Sequence, residues 1–227
     1  MPIRKSSNLL AAASAAGIGT LGAVPLHASL VTPAGLAPGT PFVYIYETTA
    51  TITGSSTNIS DYNNLAASDA AAAGYGTYNG SPVTWGALVS TSTVTANTLI
   101  ANDSTSFWTP GGTELATSYA NLFGGAPLLN PISSDTGNVW TGSSSSGGPG
   151  TVGTKATTMG SSNGAEEGSP DSTTLWLDNS NSTGESNTFP IYAFSNELTA
   201  TAVPEPMSLG LLGVAAMGLM ARRRRSA

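Results

Sequence analysis

Any chemistry done by the body of this chain falls to carboxylates. Its 227 residues include no cysteine and a single histidine, His27, which sits in an N-terminal stretch of signal character. Ser-His-Asp and Cys-His catalysis, thiolate sites and imidazole-ligated metals are thereby excluded from the remainder. A pair of carboxyl groups suffices for glycoside hydrolysis, and the acids on offer are Glu47, Glu114, Glu166, Glu167, Asp171, Asp178 and Glu185. Their spacing selects no pair. Glu166 and Glu167 stand in a Gly/Ser-rich stretch and read as solvated loop charges. Residues 178–185, DNSNSTGE, alternate oxygen-bearing side chains as a hard-cation loop does. Gly184, however, falls seventh from Asp178 and no acid closes the loop at the twelfth place, so the stretch reads as a polar turn between strands. Of the four tryptophans, Trp85 and Trp176 read as core, whereas Trp108, just ahead of Thr109, Pro110, Gly111 and Gly112, is the ring expected at the surface for stacking on sugar. No Gly-rich loop carries a lysine, which excludes a P-loop. No metal or cofactor is implied.

Short elements have to hold these side chains. Aromatic and β-branched residues make 41–53 the best strand in the chain. Residues 61–73 follow as an Ala-rich helix, with Ser60 or Asp61 as N-cap and Gly74 as its stop. Strand character returns over 82–95, around Trp85, Leu88 and Val89. Residues 113–122 predict a short helix with Glu114 in the first turn and Gly124 and Gly125 beyond it. Brief strands are expected at 138–141, 173–177 and 189–194, each with a Trp or Tyr, and long Gly/Ser loops at 143–150 and 160–172.

The charges separate export from body. Seven Lys and Arg oppose 13 acids, but six of the seven, Arg4, Lys5, Arg222, Arg223, Arg224 and Arg225, lie near the two tips, leaving Lys155 alone between them. A body with one cation cannot neutralise phosphates, so nucleic acid is excluded as a partner. Arg4 and Lys5, the uncharged stretch 9–24 and a cut after Ala28 have the layout of a secretory signal peptide over 1–28, although Leu26 is larger than usual for such a site. Residues 29–40 then read as a linker. At the other end, Pro204, Glu205 and Pro206 precede an uncharged stretch, 207–221, and the four arginines. As a helix that stretch is about 22 Å long, short of the roughly 30 Å hydrocarbon core. Snorkelling arginines held on the cytoplasmic side extend its reach as a transmembrane helix. With both basic tips inside, everything between is delivered outside. Cuts after Ala28 and Glu205 leave a body of 13 acids against Lys155, a charge of about −12.

Two resemblances follow from these residues. The Pro-Glu-Pro segment, apolar stretch and Arg run resemble the PEP-CTERM sorting signal of exported bacterial proteins, here 199–227. This implies an exosortase as partner, cutting near Pro204, Glu205 and Pro206 after the apolar segment has anchored the precursor in the membrane. The order of elements over 41–198, with Trp85 to Thr93, Asn130-Pro131-Ile132, Val139 to Gly142, Trp176 and Tyr192-Ala193-Phe194, resembles an endostatin-like, C-type-lectin-like domain. That implies an α+β fold, a small mixed and mainly antiparallel sheet with one or two short helices and long Gly/Ser loops. The family commonly carries a cysteine near the position of Ala193, and this chain has none. The expected function is an exported cell-surface or matrix protein without enzymatic activity. The alternatives are a module binding extracellular polysaccharide and, behind it, a carboxylate glycosidase.

Overall fold

The computed structural model describes residues 29–101 and 105–202. Its elements, in chain order, are β1 (Pro41–Glu47), β2 (Ile52–Thr53), α1 (Ile59–Ala73), β3 (Thr77–Tyr78), β4 (Ser81–Pro82), β5 (Trp85–Ala87), β6 (Ser106–Trp108) and β7 (Glu114–Ala116). There follow α2 (Tyr119–Phe123), β8 (Val139–Trp140), β9 (Thr151–Val152), β10 (Lys155–Ala156), β11 (Ala165–Gly168), β12 (Ser182–Thr183), β13 (Thr188–Phe189), β14 (Tyr192–Ser195) and β15 (Leu198–Thr199). Strand outweighs helix, and the sheets are mixed and mainly antiparallel, as the sequence indicates. The stretches 1–28 and 203–227, and with them the expected signal peptide and transmembrane helix, lie outside the described residues. Among the described residues no helix is long and apolar enough to cross a membrane.

Strand β1 is central because its FVYIY run is apolar on both faces, as suits a strand covered from both sides. Phe42, Tyr44 and Tyr46 join Tyr62, Ala66 and Ala70 of α1 in one core layer. Val43 and Ile45 alternate into the other, with Leu88, Phe107, Leu115, Leu122 and Tyr192. The main sheet runs β5-β14-β1-β6-β7, with β15 also on β1. Only β1 and β6 pair in parallel within it. Ile45 faces Phe194 but Phe42 faces Leu198, so the register slips by one residue between β14 and β15. The Ser195 hydroxyl covers the slip, accepting from Tyr44 N at 3.0 Å and donating to the Asn196 carbonyl at 2.8 Å. A side chain thus satisfies the donor that the irregularity would strand.

The expected strand over 41–53 breaks after Glu47, and helix α1 causes it. Asp69, only 5% exposed, accepts from Thr49 N at 3.0 Å and Ala50 N at 2.8 Å, turning the backbone away from the ladder. The helix begins earlier than its sequence suggests. Its N-cap is Asn58, whose side chain accepts from Ser60 N, rather than Ser60 or Asp61. Gly74 closes it in the left-handed region at φ 84°, donating to Ala70 and Ala71 carbonyls, a conformation nearly free for glycine. The small residues Ala66 and Ala70 bring the helix close to the sheet, and Asn63 Oδ1 takes the Ala87 N–H of edge strand β5 at 2.8 Å.

Three further expectations are corrected. Residues 113–122 are not one helix. Glu114–Ala116 instead returns as β7 beside β6 after the turn at 109–113, and α2 starts only at Tyr119 behind the Ser118 cap. The stretch 160–172 is not all loop, because Ala165–Gly168 is a fully buried strand between β8 and β12. Gly168 permits this, since a Cβ there would stand 1.9 Å from the Trp176 carbonyl oxygen. Residues 173–177 join no ladder, although Trp176 and Leu177 are buried and the Leu177 carbonyl accepts from Thr141 Oγ1 at 2.6 Å. Residues 29–40 lie against the body: Leu30 is in the core and Tyr44 Oη donates to the Val31 carbonyl at 2.5 Å.

Candidate functional site

Strand β11 carries two glutamates into the interior. Glu166 is 2% and Glu167 1% exposed, which overturns their reading as solvated loop charges. Glu166 Oε2 accepts from Thr157 Oγ1 at 2.9 Å. Burial, opposed by that hydroxyl and reinforced by the carboxyl of Asp178 within hydrogen-bonding reach and by Glu167, pushes the Glu166 carboxyl up to about 7. Glu167 Oε2 accepts from Asn138 Nδ2 at 2.6 Å, while its Oε1 has no hydrogen-bond partner. Burial raises this acid as well. Asp178 is itself a turn former: its Oδ1 accepts from Ser180 N at 2.8 Å, and Asn179 Oδ1 accepts from Asn181 N at 3.0 Å. Ser180 sits in the left-handed region at φ 62°. The oxygens at the start of 178–185 are therefore engaged with the backbone of the turn. Among the described residues no group of three or more His, Cys, Asp or Glu is placed to hold a metal ion.

A second gathering lies at the end of β1. Burial raises the Glu47 carboxyl, Ser133 lowers it, and Asp135 and Asp171 raise it again. Tyr192, opposite Glu47 across the ladder, donates to the Trp176 carbonyl at 2.9 Å. Glu114 is half-buried at the start of β7, and Glu185 accepts from Gly54 N through its backbone carbonyl at 2.9 Å. Of the seven acids, Glu166 lies against Asp178, and Glu47 stands within electrostatic reach of Asp171. The two carboxyls of a glycosidase stand about 5–10 Å apart to admit substrate or water.

Trp108 is not the exposed ring expected of it. In β6, beside Tyr44 of β1, it is 7% exposed and donates from Nε1 to Ser106 Oγ at 2.8 Å. Trp85 and Trp140 donate to the carbonyls of Tyr75 and Ile52. Trp176 is buried against Phe123 and Tyr192. A cavity of about 130 Å³ between Val43, Ile100, Phe194 and Glu197 is well below the roughly 300–1,000 Å³ of small-molecule sites.

The fold closes immediately before the processing segment. Strand β15 pairs with the start of β1, and beyond it Ala200 N donates to the Thr40 carbonyl at 2.9 Å while Gly39 N donates to that of Ala200 at 2.8 Å. Asn79, in the β3–β4 turn, donates from Nδ2 to Thr201 Oγ1 at 2.8 Å. Sequence reading missed this anchor, although Asn79-Gly80 between two short strands is a recognisable hairpin turn. Ala28, Pro204, Glu205, Pro206 and Arg222 to Arg225 lie outside the described residues. A folded acidic body that ends just ahead of a Pro-Glu-Pro segment, an apolar run and clustered arginines defines an exported protein with a terminal processing signal. Residues 202–225 match the family model of the PEP-CTERM protein-sorting motif. The chain thus carries the PEP-CTERM signal for exosortase-dependent sorting of an exported protein. No curated protein matches it.

Proposed function

We propose that the protein is a non-enzymatic component of the cell surface or extracellular matrix, processed by an exosortase at Pro204, Glu205 and Pro206. The match of 202–225 to the sorting motif carries this reading. Proline restricts its own φ and disfavours the helical region for the residue before it, so the residue types at Pro204, Glu205 and Pro206 suit recognition by a processing enzyme. The apolar stretch 207–221 holds the precursor in the membrane, and Arg222 to Arg225 stop transfer on the cytoplasmic side. The lack of histidine and cysteine in the body supports a role without catalysis. The small mixed sheet, with the long irregular segments between α2 and β8 and between β11 and β12, supports the C-type-lectin-like reading of the body. Extracellular polysaccharide is the partner class assigned to the exposed Ser, Thr and Asn side chains of its loops, which offer hydroxyls and amides to sugar hydroxyls.

Deleting 203–227 and following the body by fractionation tests the sorting role. The expected outcome is loss of processing and a changed location. Unchanged processing and location would remove that role.

A further inference from the structure

We infer that the surface built by 29–40, the β3–β4 turn and 199–202 faces the lipid headgroup layer while the precursor is anchored; this rests on the anchored precursor of the preceding reading. Three stretches distant in sequence form this surface. The Thr32 and Tyr78 hydroxyls lie 2.9 Å apart, Tyr44 Oη holds the Val31 carbonyl, Gly39 and Thr40 bond to Ala200, and Asn79 holds Thr201. Ala34, Ala37, Pro38, Gly80, Ser81, Pro82 and Thr199 on it are exposed, as is Val31 at 53%.

Its position follows from chain length. Thr201 is tied to the body, Pro204 is three residues further on, and the apolar stretch starts at Met207. At no more than about 3.5 Å per residue, six residues reach roughly 20 Å. The headgroup layer of one leaflet takes up about 5–8 Å of that. The surface is therefore held within roughly 15 Å of the headgroups at full extension, under two Debye lengths of about 8 Å each, and closer for any less extended tether.

Its charge fits that place. No Asp, Glu, Lys or Arg occurs in 29–46, 70–101 or 198–204. Glu197, the nearest acid in sequence, is exposed at the edge of this surface and accepts from Thr105 Oγ1 at 3.0 Å. Glu47 stands at the opposite end of β1. A body of about −12 is repelled by anionic headgroups, and the repulsion is least when the surface poorest in charge, with small and weakly apolar side chains, points toward them. Lys155, in β10, and the acid-bearing strand β11 belong to sheets other than those of β1, β15 and the β3–β4 hairpin.

The native chain has no cysteine, so single labels are clean. Full-length precursor carrying a fluorophore at Ala37→Cys, Ser81→Cys, Ser145→Cys or Lys155→Cys is reconstituted into phosphatidylcholine/phosphatidylglycerol vesicles with a headgroup-attached quencher. Flotation checks anchorage and circular dichroism checks folding. Labels at 37 and 81 are expected to be quenched roughly threefold more than those at 145 and 155, as proximity to the surface requires. Equal or reversed quenching in floating vesicles overturns the inference alone. Protection of 37 and 81 that develops only after the processing enzyme is added, without lipid quenching, assigns the surface to a protein and overturns it too. Failure to float overturns the anchored precursor and this inference with it.

Discussion

Replacing Asp69 by alanine is expected to destabilise the folded body by about 4 kcal/mol, with a lower urea midpoint and an unchanged slope. Its carboxylate receives Tyr46 Oη at 3.1 Å, Thr49 N at 3.0 Å, Thr49 Oγ1 at 2.8 Å and Ala50 N at 2.8 Å. No cation accompanies it, since Lys155 is the sole Lys or Arg among the described residues. Four oriented donors therefore stabilise a nearly buried charge, and charge-assisted bonds are about twice as strong as neutral ones. Truncation leaves two backbone N–H groups and two hydroxyls without their acceptor where β1 leaves the ladder and α1 docks. Burial, with Asp69 next in effect, raises the Tyr46 phenol, so that contact stays neutral-to-charged across ordinary pH. Tyr46→Phe removes one of the four bonds and is expected to cost about 1 kcal/mol. An Asp69→Ala cost below about 1 kcal/mol would mean that the carboxylate does not organise this corner.

The second large effect is on pH. Stability should fall as pH rises from 5 to 8. Folded Glu166 titrates at about 7 against an ordinary 4.5, so the folded state binds more protons than the unfolded one throughout that interval. Its contribution is fully present below 4.5 and lost as pH climbs through 7, at a cost of about 2 kcal/mol after allowance for screening. Glu47, Glu167 and Glu185 are shifted in the same direction and add to the trend. Glu166→Gln keeps the shape and mimics the protonated acid beside Asp178 and Thr157. It should flatten the profile and raise stability at pH 8. Urea unfolding of both proteins at pH 5, 6, 7 and 8 checks this, and a wild-type profile that is flat or rises toward pH 8 refutes it.

These two sites show where local sequence stops being informative. The FVYIY run announced a central strand because both of its alternating faces are apolar, and Gly74 announced the end of α1 because glycine takes the left-handed conformation readily. The break after Glu47 could not be read locally, as its cause is Asp69, some twenty residues away on a helix. Glu166 and Glu167 looked like surface charges because Gly/Ser neighbours suggest a loop. Their burial depends on Gly168, which lets the strand pass close to Trp176, and on Thr157 and Asn138, which bond the carboxylates from distant segments. Trp108 misled similarly: the Pro-Gly-Gly that follows makes a hairpin, and the hairpin turns the ring inward beside Tyr44. The sorting motif depends on contiguous residue types alone, and so its match over 202–225 was legible in the sequence.

The mass of the exported protein tests that signal most directly. Intact mass spectrometry of the body from cells that express the processing enzyme should give an N-terminus at Ser29 and a C-terminus within 203–206, with 207–227 absent. An exported body that retains Arg222 to Arg225 would contradict processing at Pro204, Glu205 and Pro206.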